Sequence, residues 1–85
     1  MAISIKERER RKKIKFLEDL GRHIKSLRIS KGINGAELGR RLFMERSHIA
    51  RLEKGRVNPS VYLISEICDA LEISLKEFWK DFKSN

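Results

Sequence analysis

The stretch that decides the fold covers residues 34–55 and reads NGAELGRRLFMERSHIARLEKG. Leu38 and Leu42 lie one helical turn apart, and Ile49 and Leu52 resume the helical spacing after a break. This pattern predicts two short helices joined by a tight turn. Helices this short are unstable alone in water, because nucleation costs more than a few backbone hydrogen bonds return. We therefore expect both helices to pack on a core supplied by the rest of the chain.

The helix ends and the outer face of the second helix carry further signals. Asn34 can cap the first helix, and Glu37 stands where a capping box would have its reciprocal partner. Gly55 follows the last periodic residue, where many helices end in a left-handed conformation. Outward side chains of the second helix are donors suited to base edges and phosphates, namely Arg46, Ser47, His48, Arg51 and Lys54.

The stretch resembles the helix-turn-helix of the phage repressor and Cro family, a large group of small bacterial transcriptional regulators. The resemblance runs from about Leu17 to Phe82. It includes an opening helix similar to LGRHIKSLRISKGI, the motif LEKG, the loop RVNPS and the closing segment LISEICDALEISLKEFW. Residues 38–52 align with the family pattern without a gap. Strand signals are absent from the sequence, so we expect an all-α chain with five helices. The resemblance implies that these helices form a repressor-like fold.

The resemblance implies that the second helix contacts DNA bases in the major groove. Arg46, Ser47 and Arg51 match family positions that commonly contact bases, and His48 lies between them. An arginine can donate two parallel hydrogen bonds to guanine O6 and N7, which give roughly 1–3 kcal/mol of discrimination. The alternative is a basic helix face that is merely solvated.

The same resemblance implies phosphate contacts at the start of the first helix and in the loop after the second. The chain departs from the family at Gly35, where glutamine is common. Without that side chain, only the backbone N–H of Gly35 can contact a phosphate. Phe43 replaces the usual turn glycine, and at positive φ it would cost on the order of 1 kcal/mol. Glu45 replaces the usual small hydroxyl cap and brings negative charge towards DNA. The residues that match phosphate contacts are Asn34, Gly35, Lys54, Arg56 and Asn58.

Arg28 and Glu53 match an ion pair that the family forms between its opening helix and the second helix of the helix-turn-helix, which is called the recognition helix. In the family this ion pair fixes the recognition helix in place. We therefore expect Arg28 to be mainly structural, although it lies in the basic half of the chain.

Charge is distributed unevenly along the 85 residues, whose formal net charge is +8. Residues 1–31 hold eleven Lys and Arg against four acidic residues, residues 32–58 six against three, and residues 59–85 three against five. The positive potential therefore lies on the first two segments and favours a polyanionic partner such as double-stranded DNA. Ribosomal and membrane-surface proteins share such a balance, so charge alone does not identify the partner.

Residues 1–16 form a basic extension ahead of the expected DNA-binding domain, which covers residues 17–85. Within the extension, residues 6–15 hold seven Lys and Arg against two Glu. Ser4 and Glu7 form a possible capping box, so a helical extension is expected. Two roles remain open at this point, a solvated helix and an arm that touches DNA phosphates.

The acidic last segment is rich in aromatic residues. Ser74 and Glu77 form the clearest capping box in the chain. We expect Trp79 and Phe82 to form the contact between two copies, because a small domain gains little from exposing these rings. The alternative is that both rings complete the core of the monomer. Cys68 shares a helical stripe with apolar residues, which favours a buried position over redox chemistry.

Other classes of function have little support in the sequence. No apolar run approaches the ~20 residues that span a bilayer, and the start lacks the apolar core of a signal peptide. Ala2 excludes N-myristoylation, and a single cysteine cannot form an internal disulfide. These features favour a cytoplasmic, nucleoid-associated protein without membrane contact. His23 and His48 lack a cluster of partners at ligand spacing, so we expect no metal, no cofactor and no enzymatic activity.

Taken with the resemblance, these features predict a sequence-specific DNA-binding regulator of transcription that acts as a homodimer on a palindromic operator. A chain of this length without an effector module resembles the controller proteins of restriction–modification systems, and also small phage or plasmid repressors. The nearest alternative is an antitoxin that binds DNA and a second protein. A protein-interaction adaptor with the same fold is a further alternative, although Arg46 and Arg51 argue against it.

Overall fold

A computed structural model describes residues 4–84 of the chain. These residues form helices joined by short loops: α1 covers Ile5–Ser30, α2 Gly35–Leu42, α3 Arg46–Glu53, α4 Val61–Leu71 and α5 Leu75–Lys80. The predicted all-α fold with five helices is confirmed for this part of the chain. Asn85 and the first three residues of the predicted extension, Ala2 included, lie outside the described residues.

Apolar side chains from every helix meet in one core. Full burial of an aliphatic or aromatic side chain contributes roughly 1.5–3 kcal/mol, so the core holds helices that are too short to be stable alone. Cys68 is buried, as its helical stripe predicts, and burial raises the pKa of its thiol. The buried apolar residues are Leu20, Ile24, Leu38, Ile49, Leu52, Ile64, Ile67, Cys68, Leu71 and Phe78.

Hydrogen bonds from side chains fix the helix starts. The capping box predicted at Ser74 and Glu77 is present in both directions, with bonds of 3.0 and 3.1 Å. Ser4 accepts a hydrogen bond from the backbone N–H of Glu7 at 3.1 Å and caps α1. The chain is therefore helical from Ile5 onward, and α1 crosses the predicted domain boundary after residue 16 without a break.

The capping box predicted for Asn34 and Glu37 forms only in part. Asn34 Oδ1 accepts from the backbone N–H of Glu37 at 2.8 Å. The Glu37 carboxylate does not return the bond, because it accepts from Arg40 at 2.6 Å and from Arg41 at 3.0 Å. These hydrogen bonds, that of Arg40 first, lower the pKa of Glu37. Both carboxylate oxygens are thus engaged by guanidinium groups, which carry a full positive charge, and the reciprocal half of the prediction is wrong.

The turn between α2 and α3 depends on two residues. Phe43 adopts the left-handed conformation, with φ 56° and ψ 42°, as expected for the position of a turn glycine. Gly39 lies against the turn, since a Cβ there would come within 2.5 Å of the carbonyl oxygen of Met44. Gly39 thus allows the backbone of the turn to approach α2 closely, whereas Phe43 adopts the strained left-handed conformation.

The N-terminal part of α1 projects from the core. Every described side chain up to Phe16 is exposed, and burial begins at Leu17. With a rise of 1.5 Å per residue, residues 5–16 extend the helix by about 18 Å. Phe16 is attached to the C-terminal segment, because its ring packs edge-to-face on Phe82 with centroids 5.6 Å apart.

Candidate nucleic-acid interface

Helix α3 is buried on one face and exposed on the other. Ile49 and Leu52 are each 1% exposed and anchor the helix in the core. His48 is half-buried at the edge of the exposed face, so it is less favourably placed for base contact than the sequence suggests. The outward face consists of exposed residues one turn apart, namely Arg46, Ser47, Ala50, Arg51 and, just after the helix, Lys54.

Ala50 also belongs to this face and was not predicted from the sequence, because alanine carries no hydrogen-bonding group. Its methyl group is exposed between the two arginines of α3. A methyl group at this position can make an apolar contact with the C5 methyl of thymine. Its position on this face could have been predicted from its spacing of one helical turn from both Arg46 and Lys54.

The starts of α2 and α3 lie side by side. A Cβ added at Gly35 would be 4.0 Å from Cγ of Arg46, so these two predicted contact residues are neighbours in space. Glu45 occupies the N-cap position of α3 and makes no capping hydrogen bond with its side chain. The N-terminal N–H groups of a helix that lack such a partner remain available to water or to an anion.

The orientation of α3 is fixed by a nearly buried ion pair to α1. Arg28 Nε and Nη2 donate to the Glu53 carboxylate at 2.7 and 3.0 Å, and Nη1 donates to the Ile33 carbonyl at 2.8 Å. The side chains are 12% and 8% exposed. The hydrogen bonds to Glu53 raise the pKa of Arg28, which remains charged. A single guanidinium thus joins α1, α3 and the segment before α2.

Gly21 explains why the two helices approach so closely beside this ion pair. A Cβ at Gly21 would lie 2.5 Å from the carbonyl oxygen of Glu53, which is closer than any side chain permits. The role of Gly21 was not predicted from the sequence, because an isolated glycine inside a helical pattern does not indicate a close contact by itself.

The loop after α3 presents its polar side chains to solvent. Arg56 N–H donates to the Arg51 carbonyl at 3.0 Å, which ties the loop to the last turn of α3. Val57 packs against the core, whereas Arg56 and Asn58 on either side of it are exposed. Together with Lys54, this loop places two cations and an amide beside the exposed face of α3.

Two groups of basic residues lie in or against α2 and α3. Members of the first group pair with carboxylates: Arg28 with Glu53 across two helices, and Arg40 and Arg41 with Glu37 within α2. In the described part of the chain, no ion pair within 4.0 Å involves the second group, which consists of Arg46, Arg51, Lys54 and Arg56. The second group therefore presents its full charge to a ligand.

The predicted contact residues of the C-terminal segment differ in exposure. Trp79 is 40% exposed, and Leu75, four residues earlier on α5, is exposed beside it. Phe82 follows α5 and is half-buried, because it packs edge-to-face on Phe16, His23 and Trp79 at 5.6, 5.3 and 5.4 Å. The exposed apolar face is thus formed by Leu75 and Trp79, with Phe82 behind them.

Other kinds of site were also sought. Among residues 4–84, no group of His, Cys, Asp and Glu side chains is arranged to hold a metal ion. Over the same residues, each helix is too short or too polar to cross a lipid bilayer.

Two short helices joined by a tight turn, with a basic and exposed second helix, define the helix-turn-helix fold of DNA-binding transcription regulators. Residues 19–78 match the family model described as a helix-turn-helix domain. The chain belongs to this family, and the resemblance inferred from the sequence is confirmed.

Three solved structures show the same fold. The clp gene regulator ClgR from C. glutamicum is 30% identical over 74% of this chain and 81% of that chain, with a TM-score of 0.70. The restriction-modification controller protein C.AhdI from Aeromonas hydrophila is 29% identical over 73% and 94%, with a TM-score of 0.68. A mutant of the restriction-modification controller protein C.Esp1396I is 25% identical over 76% and 87%, with a TM-score of 0.72. No curated protein sequence matches the chain.

Proposed function

We propose that the protein is a sequence-specific, double-stranded DNA-binding regulator of transcription that acts as a homodimer on a palindromic operator. The observation that carries the proposal is the exposed face of α3, where Arg46 and Arg51 have no carboxylate partner within the described residues. A rigid helix with unpaired arginines is suited to the major groove, where the base edges are acceptors and donors.

In the proposed complex, α3 lies in the major groove and its outward residues contact bases. Arg46 and Arg51 donate to guanine, Ser47 donates to or accepts from a base edge, and Ala50 contacts a thymine methyl group. His48 contacts DNA only at the edge of this surface, since it is half-buried.

Phosphate contacts on either side of α3 set its orientation on the duplex. One set comes from the start of α2, where the backbone N–H groups of Asn34 and Gly35 precede or begin the helix. The other comes from the loop after α3, where the side chains are exposed. That loop contributes Lys54, Arg56 and Asn58.

The homodimer forms through the apolar face of α5. Leu75 and Trp79 are exposed, and the last segment of the chain is acidic, so two copies can meet there without bringing positive charges together. Phe82 supports the Trp79 ring from the side of the core. Simultaneous contact with two half-sites requires that the two α3 helices of the dimer lie about 34 Å apart, one helical turn of DNA.

The basic extension adds affinity without selectivity. Residues 5–16 form an exposed, continuous part of α1, and residues 6–15 carry seven Lys and Arg against two Glu. Such a helix can contact phosphates along its basic edge. The proposal includes no catalytic step and no cofactor, and it assigns the protein to the cytoplasm, where the DNA is.

Selection of bound sequences from a random duplex pool tests this function. The expected result is enrichment of an inverted repeat with half-sites about 10 base pairs apart, bound by two copies of the chain in sedimentation experiments. A role as controller protein or repressor is then tested by placing the selected site upstream of a reporter gene. No enrichment over the starting pool would contradict sequence-specific binding, and an enriched single half-site would contradict the symmetric dimer.

A further inference from the structure

A shallow groove lies between the end of α2 and the outer side of α4, and it shares no residue with the α3 face described above. Its apolar part comes from the turn and the first turn of α4, and its acidic part runs along α4. The residues that matter for its chemistry are Leu42, Phe43, Tyr62, Glu66, Asp69 and Glu72.

The aromatic residues of the groove are highly exposed to solvent. Phe43 is 97% exposed and Tyr62 is 72% exposed, so neither ring contributes much to the core. Phe43 and Glu72 are also the non-glycine residues with positive φ in the described chain, at 56° and 58°. Glycine would adopt this backbone conformation with less strain. The side chains at these two positions therefore do not serve the stability of the fold.

The electrostatics of the groove are opposite to those of the chain as a whole. Glu66, Asp69 and Glu72 are exposed, and within residues 4–84 they take part in no ion pair. Arg41 is the cation at the rim; it shares the Glu37 carboxylate with Arg40, and its Nη1 donates to the Ala70 carbonyl. The three carboxylates outnumber this arginine, so the groove is acidic. DNA is excluded as the occupant, because its phosphates would be repelled.

We propose that this groove is a protein-binding surface whose occupant is a basic, amphipathic segment of a partner protein. The partner's Lys and Arg side chains pair with the carboxylates of α4, and an aliphatic or aromatic side chain packs on Phe43 and Tyr62. Exposed aromatic residues at the centre of such a contact supply most of the affinity, and the charges supply orientation. The proposal does not depend on DNA binding by α3.

The probe for the test is a synthetic helical peptide of Leu and Lys with one apolar face, titrated into the full-length protein and followed by NMR and calorimetry. A peptide of the same composition in scrambled order, without an apolar face, is its control. Binding is expected to shift the resonances of the groove residues and to weaken with salt, since exposed charges are screened over about 8 Å at physiological ionic strength. The scrambled peptide is expected to bind much more weakly.

Phe43→Gly is the decisive variant, because glycine retains the left-handed turn and removes the ring. It is expected to weaken peptide binding by about tenfold or more, as truncation of an aromatic anchor does. A double variant, Glu66→Gln with Asp69→Asn, is expected to reduce both the affinity and its salt dependence. Ile29→Ala is the matched control, since Ile29 is an exposed apolar residue on α1 outside the groove. It should bind the peptide as the wild type does.

Several outcomes would overturn the proposal. Equal binding of the peptide to wild type and Phe43→Gly would show that the Phe43 ring is not part of the contact. Absence of binding, or resonance shifts confined to α5, would show that the groove is not the binding site. Self-association that Phe43→Gly abolishes would show that a second copy of the chain, for example through its basic extension, is the occupant.

Discussion

Removal of the Arg28 guanidinium tests how the recognition helix is held. In Arg28→Ala the Glu53 carboxylate, 8% exposed, loses its cation, and the Ile33 carbonyl loses its donor at 2.8 Å. Breaking a buried pair by removing one partner costs about 3–5 kcal/mol, because an uncompensated charge remains. For a domain of this size each kcal/mol lowers the melting temperature by roughly 4–8 °C, so a fall of roughly 12–40 °C is expected.

Arg22→Ala is the control for this experiment. Arg22 also belongs to α1 and pairs with a carboxylate, that of Asp19, but the Arg22 side chain is 67% exposed, and Asp19, which is 9% exposed, keeps Lys15 as a second cation at 3.0 Å. Removal of Arg22 therefore leaves no unpaired buried charge. Pairs with an exposed partner contribute about 0–1 kcal/mol, so the control should melt close to the wild type. Urea and thermal denaturation followed by circular dichroism measure both variants. If Arg28→Ala were no less stable than Arg22→Ala, the ion pair would not be what fixes α3.

A second control separates the burial of the charge from the loss of packing. In Arg28→Met with Glu53→Leu both charges are replaced by apolar groups of similar size, a change that is often neutral or stabilising for buried pairs. This double variant is expected to recover much of the stability lost in Arg28→Ala. Its failure to do so would indicate that the bond to the Ile33 carbonyl is the larger contribution.

Three further predictions concern the basic extension, the loss of stability at acid pH and the dimer. Deletion of residues 1–13 should weaken specific and random DNA binding by similar factors and reduce the slope of log affinity against log salt by about two or more, with little change in melting temperature; an unaltered slope would contradict the phosphate contacts. The hydrogen bond from Lys15 lowers the pKa of Asp19, so this carboxylate stabilises the fold above pH ~4 and loses that effect as the pH falls further. Urea titrations between pH 6 and 2.5, about the range in which carboxylates protonate, should therefore show a shallower acid limb for Asp19→Asn, and an identical limb would refute the assignment. Trp79→Lys should give a folded monomer with weak DNA binding in sedimentation and gel-shift experiments, whereas loss of helicity together with dimerisation would assign the ring to the monomer core.

The periodicity of apolar residues was sufficient to predict the helices and most of the core. Leu38, Ile49 and Leu52 are buried because their spacing leaves one face of α2 or α3 apolar. The cap at Ser74 was predictable as well, since both of its partners are local in sequence. Phe43 in a left-handed conformation follows from its place in the turn rather than from its own preference.

Features that depend on contacts between distant segments were not predictable in the same way. Glu37 was expected to complete a capping box; its actual partners Arg40 and Arg41 are local, but the bond of Arg41 to the Ala70 carbonyl of α4 is long-range and could not be predicted from the sequence. Gly39 and Gly21 are required by close approaches that exist only in the folded chain.

The exposure of the aromatic residues could not be predicted from the sequence pattern either. Helical spacing places Trp79 and Phe82 on one face and cannot tell a core from an interface. The structure separates them, because the ring of Phe16 from the extension covers Phe82 and leaves Trp79 open. The exposed position of Ala50 was not predicted for a different reason, since its side chain has no donor or acceptor that would mark it as a contact residue.

The most direct test of DNA recognition by α3 compares Arg51→Ala with Arg56→Ala on the selected operator and on a random duplex. Arg51→Ala is expected to lower the ratio of specific to random affinity by roughly five- to 150-fold, the equivalent of about 1–3 kcal/mol at one base pair. Arg56→Ala should weaken both duplexes alike and reduce the salt slope by about one. If Arg51→Ala left the ratio of the two affinities unchanged, α3 would not be the helix that recognises the sequence.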